Sequence, residues 1–370
     1  MDKAGVGGKR IVIKAGTSIL ASGGGSFSPK NLARLGTEII ALARKKRQIV
    51  LVSSGAIALG MEVSGIPERP KKMASLQACA AIGQGKLMHA YEQFFAKRGV
   101  HTAQILLTRD GLEDRSRFLK ARQTLEELLK MKTLPIVNEN DTVATDEIAF
   151  GDNDILSVQV AHLIQADLLV ILSDVDGFYL KDGSRVRQVV SEQEIDQELV
   201  KHLQDRRKVK TVGGMKAKLE AARVAMRLGV PLWLVNGHEE GIISRALHGK
   251  DVGTLFLPGP VSKNAREKWI AFSAKRQGTV QVDEGAFQAL KSEKRSLLAR
   301  GIVKVRGDFK RGDVVELEAG SGKVFGRGVV QYSSKELSQI AGKKSGEINA
   351  ILGYKHRDEV IHRNDLVLWG

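Results

Sequence analysis

The chain has 370 residues, 42% hydrophobic and 27% charged, with a formal net charge of +16 and one cysteine, Cys79. This balance excludes a collagen-like, disulfide-scaffold or wholly disordered chain, and a lone cysteine excludes an intrachain disulfide or a cysteine-based zinc site. No apolar run approaches the roughly 20 residues that cross a bilayer, and no apolar segment precedes Lys9-Arg10 as a secretion signal would.

A cytoplasmic protein with no membrane partner is therefore expected, and its length suggests two or three domains. Ile11-Val12-Ile13 predicts a first strand that runs into a glycine-rich turn. Ser28-Pro29 opens a helix with a cap and a first-turn proline, and Leu32, Leu35, Ile39 and Leu42 share one of its faces. The basic run Arg44-Lys45-Lys46-Arg47 suits the end of that helix and reads as solvated.

Strands follow at 48–52, 104–107, 135–137, 168–172 and 232–235, with helices at 117–131, 155–164 and 215–228. Alternating strands and helices predict an α/β fold, a mainly parallel sheet with helices on both faces. Ligands of such sheets sit beyond the carboxyl ends of the strands, so the polar residues there become the candidates.

After residue 260 the texture changes to short β-prone runs broken by glycine, at 279–282, 302–305, 314–317 and 328–330, with a helical interlude at 334–340. A small β-barrel is expected there. The last 110 residues hold 21 Lys+Arg against 13 Asp+Glu, more than twice the charge density of the first 260. A basic surface attracts any polyanion, so the sign alone names no partner.

No P-loop spacing occurs, since Gly85-Lys86 is followed by leucine, and no G-x-G-x-x-G follows a strand. Four other segments at strand ends can handle anions. Lys14-Ala15-Gly16-Thr17-Ser18 places a mobile cation beside a glycine, or is a solvated strand end. Ser53-Ser54-Gly55-Ala56 opens a helix with small residues and leaves its N–H groups free, or only caps and packs it.

Asn138-Glu139-Asn140-Asp141 and Gly151-Asp152-Asn153-Asp154 bracket one short connection. A turn and a helix cap at Asp152 account for part of that cluster; Asn138, Asn140, Asp141, Asn153 and Asp154 suit an ammonium ligand, or hold lysines and Mg²⁺-phosphate in register. Val212-Gly213-Gly214-Met215-Lys216-Ala217-Lys218 places two glycines before a helix with a lysine one turn in: a phosphate nest, or an exposed glycine-rich loop. Ser173-Asp174 caps a helix or holds a nucleotide.

Together these segments resemble the amino acid kinases. The resemblance covers nearly the whole chain through KAGTS at Lys14, SSGAIALG at Ser53, LLTRDGLEDRSRFLKAR from Leu106, PIVNENDTVAT from Pro135, GDNDILS at Gly151 and GGMKAKL at Gly213. The tail resembles a PUA domain through TVQVDEGA from Thr279, GIVKV at Gly301 and EINAILGY at Glu347, which points to the proline-synthesising branch. The division implied is a catalytic domain at 1–260, a linker at 261–276, a PUA-like domain at 277–357 and a tail at 358–370.

The resemblance implies transfer of phosphate from ATP to the side-chain carboxylate of L-glutamate, giving glutamyl 5-phosphate. It implies Lys14 and Lys218 on the transferring phosphoryl group, with Asp154 holding both by ion pairing. Ser54, Asp141 and Asn153 match glutamate-binding positions, with Asp141 suited to the α-ammonium. Lys14, Ser173, Asp174 and the segment Val212, Gly213, Gly214, Met215, Lys216, Ala217 and Lys218 match ATP-binding positions. Mg²⁺ is expected mainly on the ATP phosphates, with no protein ligand assigned. Proline as feedback inhibitor, a homo-oligomer and contact with glutamyl-phosphate reductase are also implied. Val212 stands where the family usually has threonine, and Lys216 and Ala217 where small hydroxylated residues are common, so altered nucleotide affinity is expected.

Two other readings stand beside this one. A sister kinase would take aspartate, acetylglutamate or UMP; an RNA-binding protein would use Lys304, Lys310, Lys343 and Lys344 of the basic tail. Three tryptophans and four tyrosines offer few stacking platforms, so RNA is not expected as the main partner. Cys79 reads as packed core, the histidines lack metal-ligand spacing, and the run 205–210 reads as a surface loop that could also fold over phosphates.

Overall fold

Strand β1 (Arg10–Ala15) begins the largest sheet, and its apolar residues Ile11, Val12 and Ile13 are fully buried. The structure, a computed structural model, describes residues 8–23, 25–143, 153–180, 182–195, 212–259, 267, 270–271, 276–293 and 295–369. Its contacts cluster into two units, 1–112 with 116–261, and 113–115 with 262–370.

In the first unit β1 is followed by α1 (Thr17–Leu20), α2 (Pro29–Arg44), β2 (Gln48–Ser53), α3 (Ala56–Val63), α4 (Met73–Ala96), β3 (Thr102–Leu107), α5 (Arg109–Glu113), α6 (Arg115–Lys130) and β4 (Leu134–Glu139). Then come α7 (Asp154–Leu163), β5 (Leu168–Ser173), β6 (Phe178–Tyr179), β7 (Arg185–Val186), β8 (Gln188–Val189), α8 (Glu192–Glu194), α9 (Val212–Leu228), β9 (Leu232–Asn236), α10 (Ile242–Leu247) and β10 (Thr254–Phe256). The predicted start of α2 is observed: Ser28 Oγ accepts from Asn31 N–H at 3.3 Å, with Pro29 in the first turn.

The eight-stranded sheet has the order β3-β4-β2-β1-β5-β9-β10-β8, parallel from β3 through β9, with β10 antiparallel to β9. From β1 the chain builds outward in both directions, so β1 and β5 flank the point where the strand order reverses. Register places Ala15 beside Ser53 on one side and Leu172 on the other, which brings the polar ends of β1, β2 and β5 to one level. Helix α7 is buried nearly all round, from Asp154 and Leu156 to Leu163. Helices α3 and α4 cross in backbone contact: a Cβ on Gly83 would lie 1.8 Å from the Ala56 carbonyl oxygen, so only glycine fits. Cys79 is buried at this crossing, as the sequence suggested.

The second unit contains β11 (Arg276–Val282), α11 (Glu284–Lys291), β12 (Leu297–Leu298), β13 (Ile302–Gly307), β14 (Val314–Glu318), β15 (Val324–Val329), α12 (Ser334–Ile340), α13 (Ile348–Leu352), β16 (Glu359–Ile361) and β17 (Leu366–Leu368). Its five-stranded sheet runs β13-β11-β14-β15-β17, and β12 pairs with β16. Residues 358–370, expected as a tail, supply two strands: β17 pairs with β15, β16 pairs with β12, and Val360, Ile361 and Val367 are buried. Three-residue strands carry too little pattern to be read alone; long-range pairing makes them. The expected linker 261–276 falls largely outside the described residues. Among the described residues no helix is long and apolar enough to cross a membrane.

Candidate active site

Lys14 stands one residue before the end of β1, 4% exposed, and its Nζ lies 2.6 Å from Asp154 Oδ1. Asp154 opens α7 and has no exposed surface. Its other oxygen, Oδ2, accepts from Lys218 Nζ at 3.3 Å, reaching in from α9. Two ammonium groups on one buried carboxylate leave one positive charge in excess, and a low dielectric makes that charge effective toward an anion. Gly16 keeps room there, since a Cβ at that position would sit 3.4 Å from Lys14 Nζ.

Helix α9 begins at Val212, so Gly213 and Gly214 form its first turn and are not a loop ahead of it. The first-turn N–H groups of a helix lack intrahelical acceptors, so the segment still offers donors to phosphate, now from a helix end. Lys218 lies in the second turn, and its Nζ also donates to the Gly214 carbonyl at 3.5 Å. Lys216 is exposed, and Met215 and Ala217 are half-buried.

Asn153 precedes α7 but makes no side-chain cap. Its amide is used elsewhere: Nδ2 donates to the Ser53 carbonyl at 2.6 Å and to Asn138 Oδ1 at 2.8 Å. The cap expected at Asp152, with Gly151, lies outside the described residues. Asn138 Oδ1 also accepts from Glu139 N–H at 2.9 Å, and Asn138 Nδ2 donates to Gln84 Oε1 at 2.7 Å. Ser53 Oγ lies 2.9 Å from the Tyr91 hydroxyl, so α4 is tied to the ends of β2 and β4.

Beside this network Ser54 Oγ is buried and finds no hydrogen-bond partner among the described residues. A buried hydroxyl left unsatisfied is costly, so a buried polar group of this kind calls for a partner. Gly55 follows with φ 104°, a left-handed conformation that favours glycine, and α3 starts after it. Asp141 is carried just beyond β4, where burial pushes its carboxyl up to about 6 against the pull of Arg69.

Ser173 ends β5, the strand beside β1; its hydroxyl donates to Asp174 Oδ1 at 3.1 Å and its carbonyl accepts from Gly237 N–H at 2.8 Å. Lys14, Asp154 and Lys218 thus meet in one cluster, while Ser54 and Asn153 share a second at the ends of β2 and β4. Gln84 and Tyr91 lie outside every segment the sequence marks, whereas Arg109 and Glu139, 3.9 Å apart, lie inside marked segments without an assigned role. For Gln84 a signal existed: a polar residue between two glycines within a helix.

The run 205–210 lies outside the described residues. A cavity of about 640 Å³ opens at the opposite, amino-terminal ends of the strands, where Lys46 and Arg47 of the basic run line it with Lys9 and Lys132.

Lys14, Ser54, Asp141, Asn153, Asp154, Ser173, Asp174 and Lys218 fall within positions 9–236, the part of the chain that matches the amino acid kinase family. The chain belongs to the amino acid kinase family. In this kinase residues 278–352 match the PUA domain. Glutamate 5-kinases from Geobacter sulfurreducens and Geobacter metallireducens are 45% and 47% identical to it, each over 97% of both chains. The glutamate 5-kinase of Moorella thermoacetica is 42% identical over 98% of this chain and 97% of its own. A carbamate kinase structure from Giardia superposes with a TM-score of 0.50 at 16% identity, covering 68% of this chain and 99% of that one, a likeness of fold alone.

Proposed function

We propose that this amino acid kinase transfers the γ-phosphoryl group of ATP to the side-chain carboxylate of L-glutamate, giving L-glutamyl 5-phosphate and ADP as the first step of proline synthesis. The observation that carries the reading is the Lys14–Asp154–Lys218 cluster, in which two lysines converge on a fully buried carboxylate at the carboxyl ends of the strands. The relatives that share nearly the whole chain bear the name glutamate 5-kinase, which favours glutamate over aspartate, acetylglutamate or UMP as acceptor.

In the reaction a carboxylate oxygen of glutamate bonds to the γ-phosphorus as the bond to the β–γ bridging oxygen breaks, and ADP leaves with that electron pair. The attacking carboxylate is already ionised, so no general base is needed. Lys14 and Lys218 neutralise charge on the transferring group, the main protein contribution to such reactions. Asp154 keeps both ammonium groups convergent, and Gly16 leaves space for the phosphoryl group beside Lys14.

Ser54, Asn153 and Asp141 hold glutamate, with Asp141 on the α-ammonium. Ser173, Asp174 and the first turns of α9 hold the nucleotide. Mg²⁺ enters as part of the MgATP substrate; the Asp154 oxygens, each engaged by a lysine, do not fit a metal ligand. Inhibition by proline, assembly into a homo-oligomer, contact with glutamyl-phosphate reductase and a cytoplasmic location belong to the same reading.

A coupled ADP-release assay with MgATP tests it, comparing L-glutamate with L-aspartate, N-acetylglutamate and UMP. Turnover that depends on glutamate and collapses in Lys218→Ala supports acceptor and phosphoryl clamp together. Turnover with another acceptor only would overturn the reading.

A further inference from the structure

Gln84 stands on α4 immediately after Gly83, at the crossing where α3 and α4 touch through backbone. From there its Oε1 accepts a 2.7 Å hydrogen bond from Asn138 Nδ2 at the end of β4. Asn138 is 2% exposed, so water is not freely available to replace that acceptor. On its other side the Asn138 amide has no choice of polarity. The Glu139 N–H can only donate, so Oδ1 must face it, and the same Oδ1 takes Asn153 Nδ2. The Ser53 carbonyl, which can only accept, takes the second Nδ2 hydrogen of Asn153. Both donor hydrogens of Asn153 are therefore committed, and what its side chain retains for a ligand is Oδ1, an acceptor.

We infer that Gln84 is a positioning residue for substrate selection: by anchoring Asn138 it holds Asn153 so that an acceptor oxygen, and no donor, is offered to the α-ammonium of the amino-acid substrate. The inference rests on the proposed use of glutamate. It assigns Gln84 no contact with substrate; its effect passes through two amides. Removing the glutamine oxygen leaves the Asn138 Nδ2 without its acceptor, and the Asn138 side chain shifts toward the gap to relieve it. That shift loosens its bond to Asn153 and weakens the preference for a positively charged neighbour at that position, while Lys14, Asp154 and Lys218 stay where they are.

The test compares wild type, Gln84→Met and Gln84→Glu with L-glutamate and with glutarate, which has both carboxylates and no ammonium. In Gln84→Met the KM for L-glutamate is expected to rise roughly tenfold, the effect of one hydrogen bond to a charged group. Its KM for ATP and its kcat should stay within about threefold, and the kcat/KM preference for L-glutamate over glutarate should fall about tenfold. Gln84→Glu keeps an acceptor oxygen at the same reach and should retain the preference. A parallel loss for both acids, or no change in Gln84→Met, overturns the inference, as does loss of preference in a folded Gln84→Glu. If Gln84→Met does not fold, the Gln84→Glu result decides. Wild-type protein without glutamate-dependent ADP release overturns the functional reading first; wild-type turnover with an unchanged Gln84→Met overturns only the role of Gln84.

Discussion

Lys14 and Asp154 form a 2.6 Å ion pair in which neither side chain is more than 5% exposed. Burying a carboxylate costs more than one such contact returns unless its remaining oxygen is also engaged. Lys218 does that at 3.3 Å, which makes the three residues one electrostatic unit. Asp154→Asn keeps the shape and removes the charge that converges the two lysines. Steady-state ADP release is expected to fall at least 100-fold, the size of effect seen when a preorganised charge contact is lost. The melting temperature should fall as well, and Lys14→Met added to Asp154→Asn should recover part of that loss, because the double variant buries one fewer unpaired cation. Equal melting of the single and double variants would contradict the coupling.

The pH profile follows from Asp141. Burial raises its carboxyl to about 6, so it is ionised above that pH and protonated below it. Only the ionised form attracts an α-ammonium. The KM for glutamate should therefore be flat at pH 7–8 and rise as pH falls through about 6, approaching tenfold per unit. Asp141→Asn should show a high KM that no longer varies with pH over this range. A wild-type KM that stays constant down to pH 5 would remove Asp141 from the ammonium contact.

Tyr91 links α4 to the end of β2 through the 2.9 Å contact with Ser53 Oγ, and burial pushes its hydroxyl pKa upward. Tyr91→Phe deletes one partner, but Ser53 Oγ still donates to the Ser54 carbonyl at 3.2 Å. The expected cost is about 1 kcal/mol in urea unfolding, with kcat little changed. A cost above roughly 3 kcal/mol would mean that the hydroxyl holds more than this pair.

Two neighbouring glycines of α4 should respond with opposite sign. A Cβ on Gly83 would lie 1.8 Å from the Ala56 carbonyl oxygen, whereas one on Gly85 meets nothing within 4 Å. Gly83→Ala must push α3 and α4 apart, at an expected cost of about 1–3 kcal/mol or more, and disturb Ser54 at the start of α3. Gly85→Ala fills open space on a helix and should stabilise by about 0.5–1 kcal/mol. Thermal melts of the two variants check both signs.

Local chemistry determined what the sequence alone could show. Alternating apolar runs and amphipathic stretches define the strands of the large sheet, because each residue's preference is set by its near neighbours. Ser28-Pro29 marks the start of α2 for the same reason. Lys14, Asp154 and Lys218 could be singled out as polar residues at strand and helix ends. Only the tertiary structure decided which hydrogen bonds they and their neighbours make. Asn153 looks like a residue beside a helix cap, yet its amide belongs to Ser53 and Asn138, and Gln84 and Tyr91 enter from a helix that lies far from Asn138 and Ser53 along the chain. Residues 359–368 read as a tail until β15 and β12 pair with them. The reason is common to all of these: a buried donor or a three-residue strand is satisfied by whatever the fold brings near, and that partner lies far away along the chain.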